Sequence, residues 1–100
     1  MNIVTRPLFY QDVADEIAEL AHRANPEIAL RWHSALESTI EQLARHPHLG
    51  RLRHDLFPEG VRTWRLNDFS RWLIFYLTRD DNLVLLRVRH GMMDLGRLEM

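Results

Sequence analysis

The spacing of apolar residues along this chain changes its period once, close to residue 60. Before that point apolar side chains recur every three or four residues, which is typical of amphipathic helices. After it they alternate or form short runs rich in Val, Ile, Leu and aromatic residues, which favours strands. The chain therefore divides into a helical part and a sheet part, and the simplest fold packs one layer on the other.

The helical part is predicted to contain two helices that form an antiparallel hairpin. The first covers residues 10–24. The second covers residues 26–46, because Asn25 is a good N-cap and Pro26 suits the first helical position. A short strand at Asn2–Thr5 precedes both helices. The break between the helices is very short, so they must lie side by side.

The sheet part is predicted to contain three strands after a loop of residues 47–60. The strands cover residues 61–66, 71–78 and 83–90, and the turns cover residues 67–70 and 79–82. Residues 94–100 are too short for more than one helical turn. The predicted fold class is α+β, with the order β-α-α-β-β-β and the helical hairpin packed on one face of an antiparallel sheet.

The last strand is unusual because it carries arginines within an apolar run. Alternation sorts it into two sets: Val84, Leu86, Val88 and His90 on one side, and Leu83, Leu85, Arg87 and Arg89 on the other. The aliphatic set is predicted to face the helices. The mixed set then faces outward as an apolar patch with guanidinium groups, which is typical of a partner site. Any arginine that becomes buried needs a partner for its charge.

Composition limits the classes of protein to consider. One hundred residues with 46% hydrophobic content form one domain, residues 1–100. No stretch approaches the length of a membrane span, and the N-terminus does not resemble a signal peptide. There is no cysteine, which fits a cytoplasmic protein. The net charge of -1 argues against a general polyanion binder, although nine of the thirteen arginines follow residue 50.

No metal or cofactor site is expected. His46, His48 and His54 cluster in the predicted loop, whereas a metal site would need helical or hairpin spacing with a carboxylate or cysteine beside it. They are interpreted as solvated loop residues. The three tryptophans fall at pattern positions and are interpreted as core or sheet residues.

Several phrases, taken in order, resemble the ParE/RelE toxins of bacterial toxin–antitoxin pairs. They are Asn25-Pro26 with Ala29, Leu43 through His46-Pro47 with Gly50, Gly60-Val61-Arg62-Thr63-Trp64, Ile74-Phe75-Tyr76, and Leu86-Arg87-Val88-Arg89-His90-Gly91 with Asp94. The resemblance covers nearly the whole chain. It implies a small cytoplasmic toxin that a cognate antitoxin, encoded by the adjacent gene, holds inactive.

The family that the chain resembles has two branches, which differ in the target of the toxin. RelE-like toxins cut messenger RNA on the ribosome, whereas ParE-like toxins poison DNA gyrase. RNA cleavage would require groups that activate the 2′-hydroxyl and stabilise charge on the phosphate, for which Arg62, Arg87 and His90 are the candidates. The cutting branch usually has basic residues after Gly91 and a late tyrosine, but this chain has Met92-Met93 and no tyrosine after Tyr76.

The Arg-Val-x-His-Gly phrase is closer to the ParE branch, so the resemblance implies a gyrase-directed toxin without its own catalysis. An endoribonuclease and a non-toxic relative that retains only antitoxin binding are the alternatives. His90 is interpreted as a residue that caps the strand end, by bonding to the backbone or to Asp94. The predicted partner-binding residues are Leu83, Leu85, Arg87, Arg89, Arg62 and Arg65.

Overall fold

The computed structural model describes residues 1–92 and 95–100. Its elements are β1 (Asn2–Thr5), α1 (Pro7–Arg23), α2 (Pro26–Arg45), β2 (Arg51–Leu52), β3 (Arg62–Leu66), β4 (Phe69–Arg79), β5 (Asn82–His90) and a short 3-10 helix (Leu95–Arg97). The predicted α+β order of a strand, two helices and three further strands is confirmed. The two-residue strand β2 is an addition, and it lies in the segment predicted to be a loop.

The helices begin and end at the signals the sequence provides. Helix α1 starts at Pro7 rather than at Tyr10, because proline occupies the first helical position directly after an extended Arg6. Helix α2 starts after Asn25, whose side chain accepts a hydrogen bond from the Ile28 backbone nitrogen at 2.9 Å. No helix in the described part of the chain is long and apolar enough to cross a membrane.

The five strands form one mixed sheet in the order β1-β5-β4-β3-β2. Strand β1 pairs with β5 in parallel, whereas the other pairs are antiparallel. The predicted antiparallel pairing describes β2 to β5, and the parallel strand β1 makes the sheet a mixed one. Between these two parallel strands the chain passes through the helical hairpin to the far edge of the sheet and returns through β2, β3 and β4.

The sheet has a core on each of its faces. On the first face the helices supply Trp32, Leu36 and Leu43 to a cluster that includes Ile74 and Leu83. On the second face, the loop after β2 and the C-terminal residues cover another cluster. Its buried members are Phe57, Val61, Phe75, Leu77, Val84 and Leu86. The C-terminal residues Leu95, Leu98 and Met100 pack against them. The second face is thus covered by the chain itself and not left bare.

A β-bulge in β5 changes which residues face the helices. Tyr76 pairs with Leu85 and Phe75 pairs with Arg87, so Leu86 is the extra residue. An extra residue reverses the alternation of side chains after it.

Because of the bulge, Leu83, Leu85 and Val88 all belong to the helix-covered core, whereas Val84 and Leu86 belong to the second face. The prediction that Leu83 and Leu85 face outward is wrong, and so is the prediction that Val84 and Leu86 face the helices. Only Val88 of the predicted aliphatic set reaches the helix-covered core.

The connection from α2 to β2 is held by a buried tyrosine. The Tyr76 hydroxyl donates to the Pro47 carbonyl oxygen at 2.7 Å and accepts from the Gly50 nitrogen at 2.9 Å. Burial raises the pKa of this phenol, so it stays protonated and able to donate. A Cβ atom at Gly50 would lie 2.5 Å from the hydroxyl oxygen and 2.8 Å from Cε1 of the same ring.

We therefore expect Gly50→Ala to destabilise the protein by about 1–3 kcal/mol, because the added methyl group forces the ring or the loop to move. Gly60→Ala is the matched control, since a Cβ atom there meets nothing within 4 Å. Urea unfolding of both variants provides the measurement. Equal unfolding midpoints for the two variants would contradict this account of the loop.

Candidate functional site

The arginines of β5 converge on one carboxylate, that of Asp12 in α1. Its oxygens accept from Arg87 Nε at 2.7 Å, Arg87 Nη2 at 2.8 Å, the Val88 backbone nitrogen at 3.1 Å and Arg89 Nη1 at 3.3 Å. The Asp12 side chain is only 3% exposed. We call this group of residues, Asp12, Arg87, Val88 and Arg89, the Asp12 centre.

The sheet topology makes the Asp12 centre possible. Strand β1 ends at Thr5, which pairs with Leu85, so among the described residues the edge of β5 beyond Leu85 has no neighbouring strand. Helix α1 runs past this open edge, and Asp12 accepts the Val88 N–H that a strand would otherwise accept. The carboxylate thus completes the sheet edge and neutralises the adjacent guanidinium groups.

The side chain of Arg87 is only 9% exposed, and three of its nitrogens donate hydrogen bonds. Besides its paired bonds to Asp12, its Nη1 donates to the Glu99 carbonyl oxygen at 2.7 Å. The hydrogen bonds from Asp12 raise the pKa of Arg87, which keeps it charged in spite of its burial. The prediction that Arg87 faces outward is wrong, because its guanidinium joins α1 to the C-terminal segment.

Sequence analysis missed Asp12 as a site residue. The spacing from Phe9 to Asp12 is three residues and from Asp12 to Leu20 is eight, which puts all three on the buried side of α1. An acid at such a position, in a chain with arginines on an apolar strand, was the available signal. Pairing across 75 residues depends on the fold and could not be derived from spacing alone.

A cleft of about 340 Å³ adjoins the Asp12 centre between α1 and the end of β5. Its lining includes Asp15, Glu16, Glu19, Trp72, Arg89 and His90. Glu16 Oε1 is buried there without a hydrogen-bond partner. Burial raises the pKa of Glu16, opposed mainly by the charge of Arg23.

His90 fills a structural position at the end of β5. Its Nδ1 accepts from the Met92 backbone nitrogen at 3.1 Å, and its ring meets the ring of Trp72 edge-on with centroids 5.1 Å apart. The predicted role of a strand-end cap that bonds to the backbone is confirmed. Met93 and Asp94 lie outside the described residues, so the alternative bond to Asp94 stays a prediction.

Arg62 and Arg65 lie on β3 and have different surroundings. Arg62 Nη1 donates to the Gly50 carbonyl oxygen at 2.7 Å, so Arg62 supports the same loop as Tyr76. Arg65 is exposed, with its guanidinium carbon 4.8 Å from the centroid of the Trp64 ring. Of the predicted partner-binding residues, Arg65 is the one in an exposed position, and its binding role stays a prediction.

The three nuclease candidates do not form one site. Arg62 binds the loop before β2, Arg87 binds Asp12 and the C-terminal segment, and His90 accepts from its own turn. In addition, Arg62 pairs with Tyr76 of the helix-covered core and Arg87 with Phe75 of the second core, so they lie on opposite faces of the sheet. Within residues 1–92 and 95–100, no group of three His, Cys, Asp or Glu side chains could hold a metal ion.

Comparison with known proteins agrees with the fold and with the predicted branch. Residues 3–95 match the family of ParE toxins of type II toxin–antitoxin systems, parDE. The chain belongs to the ParE toxin family. It is 30% identical to Toxin ParE3 of Caulobacter vibrioides over 94 residues, which cover 94% of this chain and 89% of that toxin.

A solved structure supports the ParE fold independently. The chain superimposes on a chain of the chromosomal ParDE TA system from P. aeruginosa with a TM-score of 0.76. The match covers 90% of this chain and 95% of that chain at 19% sequence identity. At this identity the likeness describes the fold, which this ParE-family chain shares.

We expect Asp12→Asn to destabilise the fold by about 3–5 kcal/mol, because it leaves the buried Arg87 charge without a counter-charge. Asp15→Asn is the matched control on the same helix, since Asp15 is exposed and bonds only to Gln11 in the described contacts. The difference in free energy of unfolding between the two variants measures the contribution of the Asp12 centre. Similar stabilities would show that the centre is dispensable.

The buried oxygen of Glu16 predicts a pH-dependent effect on stability. Removing the charge of Glu16 should stabilise the fold, whereas removing the charge of Asp12 should destabilise it. Because its folded-state pKa is raised, Glu16 stabilises the fold when protonated and loses this contribution as the pH rises through that pKa. Glu16→Gln should therefore raise the free energy of unfolding at pH 7 and should gain less at pH 5. Glu41→Gln, at an exposed position of α2, is the control. A loss of stability at pH 7 would contradict the prediction.

Proposed function

We propose that this protein is the toxin of a type II toxin–antitoxin pair and acts in the cytoplasm. A cognate antitoxin encoded by the adjacent gene binds and neutralises it. Its target is DNA gyrase, so that the free toxin stops replication and growth. Membership of the ParE family carries this proposal, because residues 3–95 match that family over almost the whole chain.

The proposed mode of action is binding without catalysis by the toxin itself. Phosphodiester cleavage would need a general base, an acid and cationic groups around one phosphate. The nuclease candidates instead use their polar atoms in structural contacts with Gly50, Asp12 and Met92. These contacts favour a toxin that acts by occupying a protein surface.

The structure changes which of the predicted residues can contact a partner. Leu83 and Leu85 are fully buried under the helices, and Arg87 is enclosed by its partners. We propose Arg65 as the residue of this set that contacts the target directly. Arg62 and Arg89 would act indirectly, because Arg62 binds the loop at Gly50 and Arg89 binds Asp12.

The purified protein should inhibit supercoiling by gyrase or trap cleaved DNA, and it should leave ribosome-bound mRNA intact. Adding the product of the adjacent gene should relieve the inhibition. Arg65→Glu should weaken inhibition by about fivefold or more through reversal of an exposed charge, whereas Arg31→Glu, an exposed change on α2, should not. Message cleavage that disappears in a folded Arg62→Lys variant would instead support a nuclease.

A further inference from the structure

Three exposed arginines form a diagonal row on the second face of the sheet. Arg51 of β2 pairs with Thr63, and Arg65 follows Thr63 by two residues on β3. Arg65 in turn pairs with Leu73, and Arg71 precedes Leu73 by two residues on β4. Each step from one arginine to the next therefore crosses one strand and moves two residues along it, which is about 8 Å. We call Arg51, Arg65 and Arg71 the arginine row.

The arginine row lies beyond the segments that cover the second face. Thr63 pairs with Phe75 of the second core, and Leu73 packs against that core, so side chains in register with them share this face. The three arginines are exposed. Their guanidinium groups make no hydrogen bond or ion pair with the described residues, and Arg65 adds only its contact with the Trp64 ring. The row is thus available to an anion from outside the chain.

The charges of the arginine row are arranged differently from those of the Asp12 centre. Arg87 and Arg89 converge on a single carboxylate, that of Asp12. The arginine row instead extends over about 16 Å, so one carboxylate cannot reach all of its members. A polyanion with regularly repeated charges can reach them, and a guanidinium group binds phosphate oxygens through paired hydrogen bonds.

Two acids of the described chain adjoin the arginine row. Asp68 lies in the turn between β3 and β4 and lines a cavity together with Arg71. Asp55 follows β2 and accepts two hydrogen bonds of 3.0 Å from Arg53, which neutralises it. Among the described residues the row therefore keeps an excess of positive charge. The net charge of the whole chain hides this excess, because residues 1–50 carry seven acids and four arginines.

The surroundings of the arginine row favour a duplex over a single strand. Single-stranded nucleic acids are usually held by aromatic side chains on which their bases stack. Near the row these side chains are already used, since Phe57 and Phe75 belong to the second core and Trp64 and Trp72 pack against the helix-covered core. A duplex keeps its bases inside and presents its phosphates outward, so charge alone is sufficient to bind it.

We propose that the arginine row binds the phosphate backbone of duplex DNA without reading its base sequence. The inference rests on the proposed function and deepens it, because a toxin that holds gyrase on cleaved DNA can contact the bound DNA as well as the enzyme. Arg51 and Arg71 each contact a phosphate. Arg65 lies between them and also belongs to the proposed gyrase contact, so it is not used as a test variant.

Fluorescence anisotropy of a short labelled DNA duplex, titrated with the purified protein at several salt concentrations, tests the proposal. For three phosphate contacts, log Kd should rise with log salt concentration with a slope of about 2.7. Arg71→Gln and Arg51→Gln should each lower this slope by about 0.9 and raise Kd about threefold or more at low salt. Both variants should keep the wild-type unfolding midpoint, because the side chains they replace are exposed and unbonded.

Arg79→Gln is the matched control. Arg79 is exposed on the same strand as Arg71, and alternation places it on the same face, but it lies at the other end of β4 beside Asp80 and Asp81. The control makes the same change in net charge and should alter neither the slope nor Kd. Equal effects of Arg71→Gln and Arg79→Gln would show that only net charge matters and would overturn the proposal.

The remaining outcomes separate this proposal from its alternatives. Absence of duplex binding by the wild-type protein at low salt overturns it, and so does tighter binding of single-stranded RNA of the same length. If Arg71→Gln weakens binding to gyrase in the absence of DNA, the row is a protein contact and the DNA proposal is wrong. Inhibition of gyrase without any DNA binding by the toxin leaves the proposed function intact, whereas absence of inhibition counts against the proposed function itself.

Discussion

The buried ion pair between Asp12 and Arg87 joins the three parts of this molecule. Asp12 belongs to the helical hairpin, Arg87 belongs to the sheet, and Arg87 also binds the Glu99 carbonyl oxygen of the C-terminal segment. Removing two charges from water is costly, and their attraction offsets that only when the remaining hydrogen bonds are satisfied. Here the carboxylate receives four donors, so the position of α1 on β5 is tightly specified.

The β-bulge at Leu86 sets the direction of the side chains around that ion pair. Without the extra residue, Leu83, Leu85 and Arg87 would lie on one face, and burial of the leucines would carry Arg87 under the helices with them. With the bulge, the leucines enter the helix-covered core and Arg87 pairs with Phe75 on the second face. The guanidinium then reaches Asp12 over the open edge of β5. One inserted residue thus separates the apolar positions from the charged one.

The side of the sheet formed by β1 and by the last residues of β5 has two parts that differ. Beyond Leu85 the edge of β5 is completed by Asp12, so its backbone is not available for pairing. In the part of the chain that the structure describes, no strand pairs with the outer edge of β1, which lies beside exposed apolar side chains. The same edge would be an aggregation risk if the protein stayed alone.

Local sequence signals determined the elements of this protein. The N-cap at Asn25, proline at the first position of α2 and the change of period near residue 60 are effects within a few residues of chain, so the α+β order could be derived from them. The resemblance carried by short phrases also indicated the ParE branch, which the family comparison confirmed.

Only the tertiary structure decided the sheet order, the facing of β5 and the partner of Arg87. Strand alternation assumes an unbroken ladder, and nothing in the residues themselves marks Leu86 as a bulge. The burial of Asp12 arises from packing against a strand 75 residues away, so the residues near Asp12 in the sequence do not predict it. The parallel pairing of β1, and with it the free edge, likewise results from how the hairpin crosses the sheet. Such long-range contacts are set by the packing of whole elements, and local sequence patterns do not encode them.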